Sequence, residues 1–141
     1  ASGQFESDEE YRSVGAKRAS VHANADAGSE VLWRMWKFMP VQILAYRSDW
    51  LKIRDLDGDE GWMRKEDLSD IPTVMVKSKE GKLRKSPGGP IVWILDRGYP
   101  LRVFGGKGEW LEVSDLSSAS GWIHKSVVWG SLSAERPGSR L

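Results

Sequence analysis

Three aspartates at alternate positions, Asp55, Asp57 and Asp59, crowd the stretch DLDGDEGWMRKEDL between residues 55 and 68, together with Glu60 and Glu66. Oxygen ligands at that density suit calcium: counted from Asp55, loop positions 3, 5 and 12 are Asp57, Asp59 and Glu66. The sharp turn of such a loop needs glycine at position 6. Here that position is Glu60, and the glycine falls at position 4 as Gly58. An Asp-Gly turn between two strands requires the same residues for a steric reason, because Gly58 tolerates φ > 0. The stretch therefore reads as a hairpin turn, with no metal or cofactor expected.

Nucleophilic chemistry has equally little support. Ser114, Asp115 and His124 supply the atom types of a triad, but no G-x-S-x-G elbow accompanies them. The glycine-rich GGKGEW at 105–110 lacks the spacing and the Ser/Thr of a phosphate-binding loop. Cysteine is absent, which removes disulfides, zinc thiolates and cysteine catalysis. No enzyme is expected from this inventory.

Aromatic and basic residues remain. Eight Trp in 141 residues are the unusual feature of the composition. The stretch KSKEGKLRK gathers Lys77, Lys79, Lys82, Arg84 and Lys85, a charged face suited to an anionic partner or simply to water.

What positions these residues is a duplication. A shift of sixty aligns Trp33 with Trp93, Pro40 with Pro100, Trp50 with Trp110 and Trp62 with Trp122. Asp55, Leu56, Gly61 and Lys65 likewise recur as Asp115, Leu116, Gly121 and Lys125, whereas Asp57, Asp59, Glu60 and Glu66 become Ser117, Ala119, Ser120 and Ser126. What recurs is the turn and its Gly-Trp; the other acidic groups do not recur. Before residue 31 the shift becomes sixty-two, so the loop containing DAGSE is two residues longer than its counterpart. Trp36 and Trp129 align with Asp96 and Ser69 and so have no Trp partner, which favours surface or inter-unit contacts for them.

Each copy reads as short strands. Segments 40–46 and 100–104 start at a proline and mix apolar with polar residues, and segments 50–54 and 110–114 alternate. KEDL and KSVV look like a single helical or 3₁₀ turn, and no 3.6-residue period is sustained. Small closed barrels would remove exposed strand edges, so two small β-barrels in series are expected in an all-β chain. The expected boundaries are a flexible arm at 1–10, units at 11–70 and 71–130, and a tail at 131–141. The join Ser69-Asp70-Ile71-Pro72 is too short for a flexible tether, so the units should touch.

Charge separates the two halves. Residues 1–70 carry ten Lys/Arg against fourteen Asp/Glu and residues 71–141 eleven against six, although the whole chain is only +1. A near-zero total gives no reason to expect nucleic acid. Lobes of opposite sign suit self-association into a homo-oligomer. No apolar run approaches the length of a transmembrane segment. The polar opening ASGQFESDEE reads as a mature N-terminus from which an export signal has been removed.

MPVQILAYRSDWLKIRDLDGDEGWMRKEDL, residues 39–68, resembles the bacterial SH3-like (SH3b) domain family, and YPLRVFGGKGEWLEV with GWIHKSVV resembles it more loosely. The resemblance implies two tandem SH3-like barrels and an exported, non-catalytic binding module, periplasmic or extracellular. It further implies a partner in the cell envelope, such as a peptidoglycan stem peptide or an envelope protein. A structural or assembly protein with no wall ligand is the alternative. Family members carry Asn-Val-Arg-Ser-Gly-Pro near the start of the domain. Val21 to Asp26 departs from that pattern, while Leu83-Arg84-Lys85-Ser86-Pro87 keeps the arginine. Ligand contacts are therefore expected in the second copy, at Arg84, Lys85, Trp110, Trp122 and His124, with the unpaired Trp36 as a further candidate.

Overall fold

The computed structural model describes residues 9–135, so most of the expected arm and tail lies outside the described residues. The first copy contributes β1 (Glu10–Val14), β2 (Arg18–His22), β3 (Val31–Trp36), β4 (Pro40–Arg47), β5 (Trp50–Arg54), β6 (Glu60–Arg64) and β7 (Leu68–Ser69). The second repeats them as β8 (Thr73–Val76), β9 (Glu80–Arg84), β10 (Ile91–Asp96), β11 (Pro100–Lys107), β12 (Trp110–Ser114), β13 (Ser120–His124) and β14 (Val128–Gly130). A single 3₁₀ turn, Lys65–Asp67 or Lys125–Val127, precedes the last strand of each copy. There is no α-helix among the described residues. The loop between β2 and β3 is longer than that between β9 and β10 by two residues, as the change of offset requires.

Each copy is one antiparallel sheet of seven strands, ordered β3-β2-β6-β5-β4-β1-β7 and β10-β9-β13-β12-β11-β8-β14. Closure into barrels, expected from the sequence, is not what the pairing describes, because β3 and β7 end the first sheet and β10 and β14 the second. Curvature replaces closure. The long strands β4 and β11 break register between Ile43 and Ala45 and between Val103 and Gly105, and such bulges bend a strand and sharpen its twist. The bent sheet brings the inward side chains onto one core per copy. Val14, Val21, Val41, Ile53 and Met63 fill the first, and Val76, Leu83, Leu101, Leu111 and Ile123 the second. The end strand β3 is held partly by burial of Met35, and β10 by burial of Leu95.

The recurring Gly-Trp has a steric cause. At Gly61 a Cβ would lie 2.4 Å from Val21 Cγ1 and 3.0 Å from the His22 carbonyl oxygen; at Gly121 it would lie 2.7 Å from the Arg84 carbonyl oxygen. Here β6 crosses β2, and β13 crosses β9, at a single paired position, His22 with Trp62 and Arg84 with Trp122. Only glycine allows that approach.

The two copies touch, as the short join requires. Tyr11 meets Trp129 edge-on at 5.2 Å between ring centroids, so one of the two unpaired Trp sits between the units. The Ser13 hydroxyl donates to the Ile71 carbonyl at 2.8 Å. Asp57, in the acidic turn of the first copy, accepts from Arg97 of the second at 2.9 Å. Phe38, from the turn between β3 and β4, lines a cavity formed with Tyr99, Pro100 and Leu116 of the second copy.

Candidate functional site

The acidic stretch is a turn built around one carboxylate. Asp55 Oδ1 accepts the amides of Asp57 and Asp59 at 3.0 and 2.9 Å, and Gly58 has φ 90°. In the second copy Asp115 Oδ1 accepts the amides of Ser117, Ser118 and Ala119 at 2.8, 3.0 and 3.0 Å, while Oδ2 accepts the Tyr99 hydroxyl at 2.5 Å. Turn geometry therefore accounts for the one acidic position that recurs. The environments still differ. Desolvation outweighs the two amides at Asp55 and raises its carboxyl above the ordinary value. At Asp115 desolvation acts in the same direction, but the Tyr99 hydroxyl and the amides together overcome it and hold the carboxyl low. His124, the other triad candidate, turns instead to its own 3₁₀ turn. Its Nδ1 accepts the Ser126 amide at 3.1 Å and lies 2.7 Å from the Ser126 hydroxyl.

The aromatic residues of the second copy form a concave surface. Trp122, Trp93, Phe104 and Val92 line a groove of about 630 Å³, with Lys85 and Glu112 at its border. The β-ladder sets this grouping: Trp122 lies opposite Glu112 on β12 and Arg84 on β9, while β10, the end strand, brings Trp93. Residues 91–94, Ile-Val-Trp-Ile, are 43–56% exposed, so a six-residue strand at the sheet margin presents four consecutive large apolar side chains to water. An exposed apolar patch on a strand with one open edge is a recurrent peptide-docking surface.

Of the residues expected from the sequence, the groove unites Trp122 and Lys85. Arg84 stands beside it but is engaged: its Nη1 donates to the Gly89 carbonyl at 2.9 Å and holds the loop between β9 and β10. His22 does the equivalent work in the first copy through Ser29. Trp110 and His124 pair edge-on at 5.1 Å and are not among the groove's lining residues. Trp36 is half exposed on β3 of the first copy and is not part of this surface. Sequence reasoning missed Trp93, Phe104 and Glu112. The signal was present: Ile91 to Ile94 break the alternation of a half-buried strand, and offset sixty turns Lys52, Arg54 and Glu60 into Glu112, Ser114 and Ser120.

Those three exchanges decide what the same surface holds in the first copy. There Glu60 accepts from Arg54 Nη2 and Nε at 2.8 and 3.1 Å and lies 3.7 Å from Lys52 Nζ. Arg54 also reaches Gln42 at 3.4 Å. The hydrogen bond from Arg54 holds the Glu60 carboxyl below its ordinary value. Arg47 lies over the Trp62 ring at 5.1 Å from its centroid. The face that is open on β12 and β13 is thus covered by the chain's own charges on β5 and β6.

Residues 15–70 and 77–130 each match the bacterial SH3 domain family. No curated protein sequence matches the chain. Solved structures with partial likeness include NlpC2 from Trichomonas vaginalis, at 13% identity over 86% of this chain and 48% of that one, with a TM-score of 0.39. A second is an NlpC/P60 family protein from Bacillus cereus, at 11% identity over 85% of this chain and 56% of that one, with a TM-score of 0.41. The CBD of endolysin LysPBC5 is 16% identical over 88% of this chain and 94% of that one, with a TM-score of 0.37. The chain spans about half the length of the first two.

Proposed function

The chain belongs to the bacterial SH3 domain family in two copies, and from that premise we propose a non-catalytic binding module of the cell envelope whose second copy grips an extended peptide. The observation that carries the reading is the groove of Trp122, Trp93 and Phe104 beside the open strand β10. An extended peptide adds to such an edge through its backbone, and pockets between alternate side chains give selectivity. The ligand we favour is a peptidoglycan stem peptide or a segment of an envelope protein, met by a chain exported to the periplasm or beyond. The units we assign to this role are 11–70 and 71–130. The ligand contacts are Trp122 and Lys85 from the original expectation, extended by Trp93, Phe104 and Glu112.

Retention on purified peptidoglycan sacculi at low and moderate salt tests this reading. Trp93 is 43% exposed, so Trp93→Ala removes aromatic area with little loss of core. A central aromatic anchor is worth about 2 kcal/mol, and the variant should lose retention more than tenfold at both salt concentrations while its unfolding midpoint stays put. Unchanged retention in Trp93→Ala would refute the groove, and retention lost through salt alone would reduce the effect to basic charge.

A second reading has its own observation. Strands β3 and β10 are both open edges with exposed apolar residues, on halves of opposite charge. An assembly protein that pairs these edges between copies would sediment as an oligomer at micromolar concentration, whereas the binding module sediments as a monomer.

A further inference from the structure

Among the described residues Arg102 has no acceptor. Its counterpart in the first copy is Gln42, and there the nearby guanidinium of Arg54 is engaged by Glu60 and Gln42. In the second copy the positive charge has moved across the ladder from β12 to β11, and the glutamate that would receive it has become Ser120. No hydrogen bond or ion pair joins Arg102 to any described residue, and its Nε is shielded from water with no partner. Its contact is a stack on Phe104, 4.8 Å from guanidinium carbon to ring centroid. Leaving Nε desolvated and unpaired is costly, and the charge of the guanidinium remains for an anion to pair.

The position of Arg102 adds to this. It lines the cavity of about 390 Å³ that Phe38, Tyr99, Pro100 and Leu116 form between the copies, while the ring beneath it lines the aromatic groove. Ser114 borders both. The two depressions thus adjoin at Ser114, and Arg102, which lines the cavity, stacks on Phe104 of the groove. Two carboxylates lie close by, Glu112 lining the groove and Asp115 the cavity. Asp115 is already satisfied by three amides and the Tyr99 hydroxyl, and it forms no ion pair with Arg102. Their negative charge disfavours a doubly charged phosphate more than a singly charged carboxylate.

We propose that Arg102 anchors a carboxylate of the bound peptide, so that the ligand runs from the aromatic groove to the cavity walled by Phe38 of the first copy. The planar fork of arginine suits a bidentate carboxylate. This rests on the groove being the binding surface, and it adds the ligand's charge and direction, with Glu112 placed for an ammonium group on the aromatic side.

The test is an NMR titration of the ¹⁵N-labelled full chain with N-acetyl-alanyl-alanine and, separately, with its C-terminal amide. The Nε–H signal of Arg102 and the Leu116 amide report the site. The acid should shift both saturably at millimolar concentration and the amide should not. Arg102→Gln should weaken the acid response at Leu116 at least tenfold, with Arg102→Lys between the two and all variants folded by their spectra. Equal responses to acid and amide, or a tighter response to inorganic phosphate, would overturn the proposal. Sacculus binding separates this inference from the reading beneath it. Retention that needs Trp93 but survives Arg102→Gln sinks the anchor and keeps the groove. A carboxylate response in a chain that sacculi do not retain keeps the anchor and sinks the wall ligand.

Discussion

The first copy covers its own groove and the second leaves it open, on backbones that share strand order, bulges and the Gly-Trp crossing. In the first, Arg47 lies over Trp62 while Arg54 and Lys52 converge on Glu60. In the second, serines replace the ion pair, a glutamate faces the groove and an arginine is left without an acceptor. The difference between the copies thus lies in the side chains laid over one face of the sheet, while the crossing beneath remains the same. Exposed ion pairs of this kind add little to stability. Duplication therefore lets one copy give them up and leave an aromatic surface open at small cost to its fold.

The sharpest break in the comparison lies at that shared crossing. Gly121→Ala would drive a methyl to 2.7 Å from the Arg84 carbonyl oxygen, a backbone atom with little room to retreat. We expect a loss of about 3 kcal/mol. At Gly61 the nearest obstacle is a side-chain methyl, of Val21, so Gly61→Ala should cost roughly 1–2 kcal/mol. Urea unfolding followed by tryptophan fluorescence measures both, and a Gly121 change cheaper than the Gly61 change would overturn this account of the crossings.

A graft tests the groove. Ser114→Arg with Ser120→Glu rebuilds the first copy's ion pair on β12 and β13. The double variant should lose sacculus retention about tenfold, or roughly 1.4 kcal/mol, with unfolding free energy within about 1 kcal/mol of the parent. Retention untouched by the graft would show that the open face is not where the ligand sits.

The smallest contrast concerns the turn carboxylates. Carboxyl NMR titration should place Asp115 below, and Asp55 above, the ordinary aspartate value. Because its folded value is depressed, Asp115 contributes stability above about pH 4, and that contribution fades as pH falls through the folded value. Asp55 has the opposite sign: its contribution is complete below about pH 4 and fades as pH rises through its raised folded value. Asp115→Asn should therefore flatten the acid limb of the second copy's stability, and Asp55→Asn should not.

Much of this contrast was legible in the sequence. The offset of sixty, the alternating segments and the Asp-Gly turn identify the units and their strands, because steric rules act locally. The end of the hairpin was harder to place. Trp93 aligns with Trp33, which packs on the first core, yet Trp93 is 43% exposed, since only the curl of the sheet decides which end of β10 is covered. For Arg84 the sequence shows the charge but not that Nη1 is bonded to the Gly89 carbonyl. Arg102 carries no such signal in the sequence, because the lack of an acceptor is a property of its folded surroundings. Barrel closure failed for a related reason: a strand pattern fixes pairing partners poorly where burial of Met35 and Leu95 helps to hold the end strands.

The terminal strands of each copy lie side by side. In the second copy Gly130 pairs with Val74, Trp129 with Met75 and Val128 with Val76, and the Ser131 amide reaches the Thr73 carbonyl at 2.9 Å. A unit whose entry and exit are adjacent behaves as a cassette: another can be spliced in at that seam while both cores stay whole. The same seam sets the mechanics. A pull across residues 73 and 131 loads one hydrogen bond of the ladder after another, as a zipper opens, rather than shearing them together. A tether anchored through the second copy would yield under tension by peeling β14 from β8, while the strands that carry the aromatic groove stay assembled.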